Sequence, residues 1–432
     1  MQRTLASASL VAAMVVGVTF PYAANAQQAQ LAQAGEDVAQ GMSRERLDRI
    51  AGVMKQEVAN GTFSGTVALI ARRGELVHFE ANGFQDAAKT KPMAKDSIFR
   101  MASMTKPIVT VAAMMLVEQG VFKINDPIAR YLPELKDLKV EVSRTNGDGT
   151  TTTEDLPVNR AVTIQDLMRH TSGFFYGGAI KSKRLKDAYE QANIEAGEQD
   201  ITGDEMLKRL GQIPLAHQPG TNFLYSISVD VLGLLLERAT RKPLDVLLQE
   251  MVIGPLGMKD TAFWVPGEKA SRLAEVLDSD PLKKLSLRFC RTESEIKMSY
   301  LKGGAGLCGT AEDYFKFLQM ILNGGEYEGR RYLSKKTVEF MLQNHLVGMG
   351  GSTEASTGPG YGFGLGFAVR LQDGFGWSPG SKGDAMWGGI FGTSFTIDPK
   401  EKLVAIQLTQ GATARVQSRH LFKNLIYGAV VE

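Results

Sequence analysis

Phe99-Arg100-Met101-Ala102-Ser103-Met104-Thr105-Lys106-Pro107 runs into Ile108-Val109-Thr110-Val111-Ala112-Ala113-Met114-Met115-Leu116-Val117, a segment apolar on nearly every side. A helix with no polar face belongs in a core, so this stretch predicts a buried helix with a serine and a lysine at its N-terminal end. Ser103 and Lys106 are one turn apart and share a face. The start of a helix offers free N–H groups and the positive end of the dipole, which suit a developing oxyanion. Desolvation there disfavours an ammonium, the direction in which a lysine becomes useful as a base. Pro107 disfavours the α region for Lys106 and predicts a distorted first turn. The motif alone also permits a plainer outcome, Ser103 capping the helix and Lys106 as a surface charge.

Two fixed residues recur by chance, so the context decides. Ser294-Glu295-Ile296-Lys297 and Ser299-Tyr300-Leu301-Lys302 also read S-x-x-K, but neither opens a buried helix. Gly376-Trp377-Ser378-Pro379-Gly380 fits the G-x-S-x-G elbow, with Asp398 and His420 following in α/β-hydrolase order. Pro379 rejects it, because the residue after an elbow serine must give its N–H to the oxyanion and proline has none.

Outward from Ser103, the N-terminal side predicts a helix capped by Ser43 and stopped by Gly61, then a hairpin of Gly65 to Arg72 and Glu75 to Asn82 turned at Arg73-Gly74. From Ile98 to about Thr310 the signals are mostly helical, with a surface excursion at Ser143 to Asn159, a charged, solvated stretch at Lys181 to Asp204, and a Gly/Ser/Thr loop later at Gly348 to Gly362. Strand signals return at Phe363 to Leu371, Gly392 to Ile397 and Leu403 to Leu408, before a last helix from about Ala414 to Val430. Strands at both ends around a helical middle imply one sheet built from both chain ends with a helical subdomain inserted. The expected division is a sheet part at about 43–95 and 310–432 and a helical part at about 96–309.

The chain has 432 residues, 44% hydrophobic and 22% charged, a globular balance that argues against disorder or a multi-span membrane protein. Lys plus Arg (49) nearly equal Asp plus Glu (47), so no nucleic-acid footprint appears. Two cysteines and five histidines without ligand spacing argue against metal chemistry as the basis of function, and no cofactor is expected. Cys290 and Cys308 permit either a bridge or two buried thiols. Met1 to Ala26 has Arg3, an apolar core at Leu10 to Phe20 and Ala24-Asn25-Ala26, which reads as an export signal cleaved after Ala26, too short in its core to span about 30 Å of hydrocarbon. Residues 27–42 read as a flexible lead.

The Phe99–Pro107 segment resembles the first active-site box of the class C β-lactamase-like serine hydrolases, which include the family VIII esterases. Further landmarks follow in that family's order: Asp166-Leu167-Met168-Arg169-His170-Thr171-Ser172-Gly173, Tyr225 to Gly233, Pro255-Leu256-Gly257-Met258, Gly303-Gly304-Ala305-Gly306-Leu307, and Trp387-Gly388-Gly389 with Gly392-Thr393 and Asp398-Pro399. The resemblance implies an α/β (α+β) fold: an antiparallel sheet flanked by helices, with the site between it and an all-helical part. It makes Ser103 the nucleophile, Tyr225 the general base with Lys106 holding its phenol toward phenolate, and the N–H groups of Ser103 and Ile390 the oxyanion hole. A phenol is mostly protonated at neutral pH, and a nearby cation favours the anion.

Two departures narrow the activity. Ile227 stands where β-lactamases have the asparagine of Tyr-x-Asn, and Trp387-Gly388-Gly389 replaces Lys-Thr-Gly. Both remove polar recognition, so Trp387, Gly388, Gly389, Tyr176 and Ile227 are expected to line a site for a small-molecule carboxylic ester. The alternatives are amide cleavage by a β-lactamase or D-amino-acid peptidase and a non-catalytic cell-wall or ligand-binding role. His170 reads as closing a helix before Gly173, and Ser172 lacks a base.

Overall fold

Gly65–Arg72 (β1) is buried at every position, which requires cover on both faces and explains its unbroken apolar run. Arg73 and Gly74 both take positive φ (56° and 84°) and turn it tightly into Glu75–Gly83 (β2). The remaining strands come from the far end of the chain: Tyr361–Phe363 (β3), Ala368–Arg370 (β4), Ala385–Gly388 (β5), Ser394–Asp398 (β6) and Leu403–Thr409 (β7). They form one antiparallel sheet in the order β3-β4-β5-β6-β7-β1-β2. The join between the chain ends is β7 on β1, in register from Leu403 opposite Arg72 to Thr409 opposite Thr66.

Alternate residues of this join face two different cores. Ala68, Ile70, Leu403 and Ala405 pack with helix Arg44–Ala59, capped by Ser43, and with helix Arg415–Ala429. Val67, Leu69, Val404 and Ile406 face the larger core, shared with helices Thr105–Glu118, Ser228–Thr240 and Ala311–Leu322. The fold is the expected antiparallel sheet flanked by helices.

The computed structural model describes residues 37–195, 201–292 and 300–432; the export signal at 1–26, the first part of the lead, and Ser294, Lys297 and Ser299 lie outside them. Residues 38–432 form one compact unit. Among the described residues no helix is long and apolar enough to cross a membrane.

Several local expectations need correction. The end of the lead is a small hairpin, Val38–Ala39 with Met42–Ser43, because Arg72 donates to the carbonyls of Gln40 and Gly41 and Met42 is fully buried. Phe363 to Leu371 is two strands rather than one, with the chain reversing between Phe363 and Ala368 through Gly364 and Gly366. Ala385–Gly388 is a strand that only its neighbours stabilise. Ser143 to Asn159 lies largely in a hairpin, Lys139–Thr145 with Thr151–Pro157. Lys183–Gln191, in the stretch read as solvated, is a helix that buries Leu185 and Tyr189. Cys290 and Cys308 form a disulfide with Cα atoms 5.8 Å apart, tying Cys290 to the short pair of Cys308 with Arg100, just ahead of Ser103.

Candidate active site

Thr105–Glu118 is buried from Thr105 to Leu116, as the apolar run requires. It is preceded by a 3-10 turn, Ala102–Met104, the distortion that Pro107 implies. Ala102 has φ of 45°, a left-handed conformation that a side chain resists, so the turn ahead of Ser103 must be held from outside. The Met101 N–H donates to Leu307 O (2.9 Å), the Leu307 N–H to Thr105 Oγ1 (3.0 Å), and the Tyr314 hydroxyl to Met104 O (2.8 Å). Ser103 remains partly exposed between two buried neighbours.

Lys106 is 1% exposed. Its Nζ donates to Gly304 O at 2.7 Å, Tyr176 OH at 3.2 Å and Ser103 Oγ at 3.4 Å, and lies 4.8 Å from the Tyr225 ring centroid. Gly304 is placed by Asp230, whose Oδ1 accepts its N–H (3.2 Å) and whose carboxylate occupies the space a side chain at 304 would need. Burial pushes the Asp230 carboxyl up, opposed by Lys106 and Lys302. Burial also pushes the Tyr176 phenol well above its ordinary range, and Asp230 and Tyr225 add to the effect.

Tyr225 stands between three aromatic partners: Tyr176 at 5.6 Å, Trp387 at 5.1 Å and His170 at 4.6 Å between centroids. The Trp387 indole N–H donates to its hydroxyl at 3.3 Å. His170 sits at φ 57°, its carbonyl accepting the Leu224 N–H and its Nδ1 3.1 Å from Ser226 Oγ, and burial pulls the imidazole well below its usual range. A neutral, buried ring that shapes the bed of Tyr225 agrees with a helix-closing residue rather than a base. Behind it, Asp166 accepts bonds from Arg160, Arg169, Thr163 and Thr171 and so fixes the His170–Gly173 turn.

The third box differs from the expected apolar wall. Trp387 is 3% exposed and Ile227 4%, so both belong to the core rather than the cleft surface. The two glycines make room for protein rather than ligand. A Cβ on Gly388 would lie 2.5 Å from the Arg419 guanidinium carbon, and one on Gly389 would lie 2.5 Å from Met101 O and would clash with the Thr393 hydroxyl. The tight seat of Gly389 brings the Gly389–Ile390 peptide against the turn that carries Ser103. Of the five residues expected to line the site, Tyr176 alone is partly exposed, as is Ile390, expected in the oxyanion hole.

Ser172 is buried and bonded to Ser228 (2.8 Å). Ser378 Oγ lies 3.4 Å from His420 Nδ1, but Asp398 is turned elsewhere, accepting from Ser381, Tyr427 and the N–H groups of Lys400 and Glu401, so no triad forms. A cavity of about 480 Å³ is lined by Gly177, Lys186, Glu195 and Arg288 among others, and neither Ser103 nor Tyr176 is among its walls. Sequence reasoning gave Asp230 and Arg419 no role. The signal for Arg419 was present: with Lys423 it falls, four residues apart, on the buried face of Phe422 and Ile426.

A partly exposed serine at a helix start, a buried lysine bonded to it and a tyrosine beside the lysine form a cluster of the kind a serine hydrolase can use. The beta-lactamase family model matches residues 50–426. Protein Rv1367c of Mycobacterium tuberculosis is 35% identical over 358 residues, 81% of this chain and 86% of that one. Esterase EstB of Burkholderia gladioli is 31% identical over 382 residues, covering 84% and 90%. Among solved structures, EstCE1, described as a hydrolase with promiscuous acyltransferase activity, superposes with a TM-score of 0.74 at 28% identity, over 89% of this chain and 99% of that one. The chain belongs to the beta-lactamase family of serine hydrolases, and to its family VIII carboxylesterase type.

Proposed function

We propose that this hydrolase cleaves small carboxylic esters through an acyl-enzyme on Ser103. The observation that carries the reading is the contact of the buried Lys106 ammonium nitrogen with Ser103 Oγ, 3.4 Å, beside the Tyr225 ring. Tyr225 takes the Ser103 proton as Oγ attacks the acyl carbon and passes it to the departing alkoxide, which leaves as the alcohol; water then attacks the acyl-Ser103 ester, Tyr225 takes its proton and hands it to Ser103 Oγ as the acyl C–Oγ bond breaks, and the carboxylic acid is released. The N–H groups of Ser103 and Ile390 hold the oxyanion. Tyr176 also accepts from Lys106, at 3.2 Å, but burial raises its phenol well above the ordinary range, which works against its serving as a base.

Substrate choice follows from the missing polar groups. Ile227 and Trp387 offer neither the amide nor the cation that would hold a lactam, which favours esters over amides. EstB and EstCE1 are named as an esterase and as a hydrolase with acyltransferase activity, in keeping with this choice. The enzyme is exported in this reading: the signal at 1–26 directs it out, and a disulfide suits an oxidising compartment. Turnover of p-nitrophenyl butyrate faster than nitrocefin, lost in Ser103→Ala, is expected; faster nitrocefin turnover overturns the ester assignment.

A further inference from the structure

Helix Arg415–Ala429 carries two cations into the core. Lys423 meets the Asp384 carboxylate at 3.2 Å, whereas Arg419, 7% exposed, has no carboxylate partner among the described residues. Its Nη2 donates to Gly389 O at 2.9 Å and Nη1 to Ser356 O at 3.3 Å, and Nε has no hydrogen-bond partner. A cation is costly to bury without a counter-charge, so its position calls for an explanation beyond packing.

The acceptor supplies one. Gly389 O and the Ile390 N–H belong to the same peptide group, and in a planar trans peptide the two point in opposite directions. A guanidinium holding the oxygen from behind therefore turns the N–H away from itself. Among the described residues, no hydrogen-bond acceptor takes that N–H. Gly388 is what lets the guanidinium lie there, since a Cβ would meet it at 2.5 Å.

We propose that Arg419 is a positioning residue for the oxyanion hole, clamping the Gly389–Ile390 peptide so that its N–H faces the substrate oxygen and polarising it toward that charge. The inference rests on the Ser103 acyl-enzyme reading. A hydrogen bond accepted at the carbonyl strengthens donation at the N–H of the same peptide, and a positive charge behind it favours the oxyanion more than the neutral ester. Burial pulls the guanidinium down to about 10, with Arg415 acting in the same direction and Tyr225 opposing, so it is still cationic at neutral pH.

The test compares Arg419→Met and Arg419→Lys with the full-length enzyme on p-nitrophenyl butyrate, together with inhibition by phenylboronic acid, whose tetrahedral adduct places an oxygen in the oxyanion position. Arg419→Met should lower kcat about 10- to 100-fold, less than the ~10²–10³ for losing a donor outright, with KM within about twofold and boronate affinity falling in step with kcat. Arg419→Lys should recover part of both. Gly388→Ala disturbs the same contact from the strand side and should lower kcat in the same manner, which decides the matter if Arg419→Met does not fold. Unchanged kcat, or a fall in kcat with boronate affinity intact, overturns the proposal. Wild-type enzyme in which a fluorophosphonate leaves Ser103 unmodified overturns instead the reading on which it rests.

Discussion

Replacing Asp166 with asparagine tests the scaffold behind Tyr225 quantitatively. Asp166 is fully buried, and although burial alone would raise its pKa, bonds from Arg160, the Thr163 N–H and Thr171 outweigh that and hold the carboxyl at about 2 against an ordinary 3.8. At about 1.4 kcal/mol per unit this favours the folded state by roughly 2 kcal/mol. The sign follows from the depressed pKa: the contribution is whole above about pH 5, declines as pH falls through the unfolded value, and is gone only below the folded value, by about pH 1. Asp166→Asn removes it at every pH and leaves Arg169, 11% exposed, and the half-exposed Arg160 facing an amide. Breaking a buried pair costs about 3–5 kcal/mol, and the exposure of Arg160 favours the lower end, about 3. Urea unfolding followed by tryptophan fluorescence should show that loss at pH 7 and a gap narrower by roughly 1–2 kcal/mol at pH 3. Coincident curves at pH 7, or a gap that does not narrow in acid, refute the reasoning.

Other consequences follow from single contacts. Trp387→Phe keeps the packing but removes the N–H donated to Tyr225, and kcat should fall about 2- to 10-fold with KM little changed, by steady-state kinetics. Gly389→Ala puts a methyl against Met101 O and Thr393, so it should cost more activity than stability, read by kcat beside the thermal midpoint. Cys308→Ser opens a bridge spanning 18 positions and should lower stability by about 3 kcal/mol, with dithiothreitol lowering the wild-type midpoint similarly.

What the sequence made legible depended on how local each signal was. The Ser103 helix, the Ser43 cap and the Arg73-Gly74 hairpin are written in consecutive residues, and each forms as read. Ala385–Gly388 is four residues long and gains strand identity from β4 and β6 alone. Gly388 illustrates the deeper limit. A glycine beside a tryptophan suggests room for a ligand, but whether that room holds an ester or the guanidinium of Arg419, 31 positions away in sequence, is a tertiary fact. Lys106, Tyr225 and Tyr176 likewise converge through packing, which places Tyr176 at the lysine rather than only along a pocket wall.

The central claim is that Ser103 carries the acyl group, and mapping a fluorophosphonate adduct by peptide mass spectrometry tests it most directly. The account predicts a single adduct on the Ser103 peptide, absent in Ser103→Ala together with esterase turnover. Modification of Ser378, Ser294 or Ser299 instead, or turnover that survives Ser103→Ala, contradicts it.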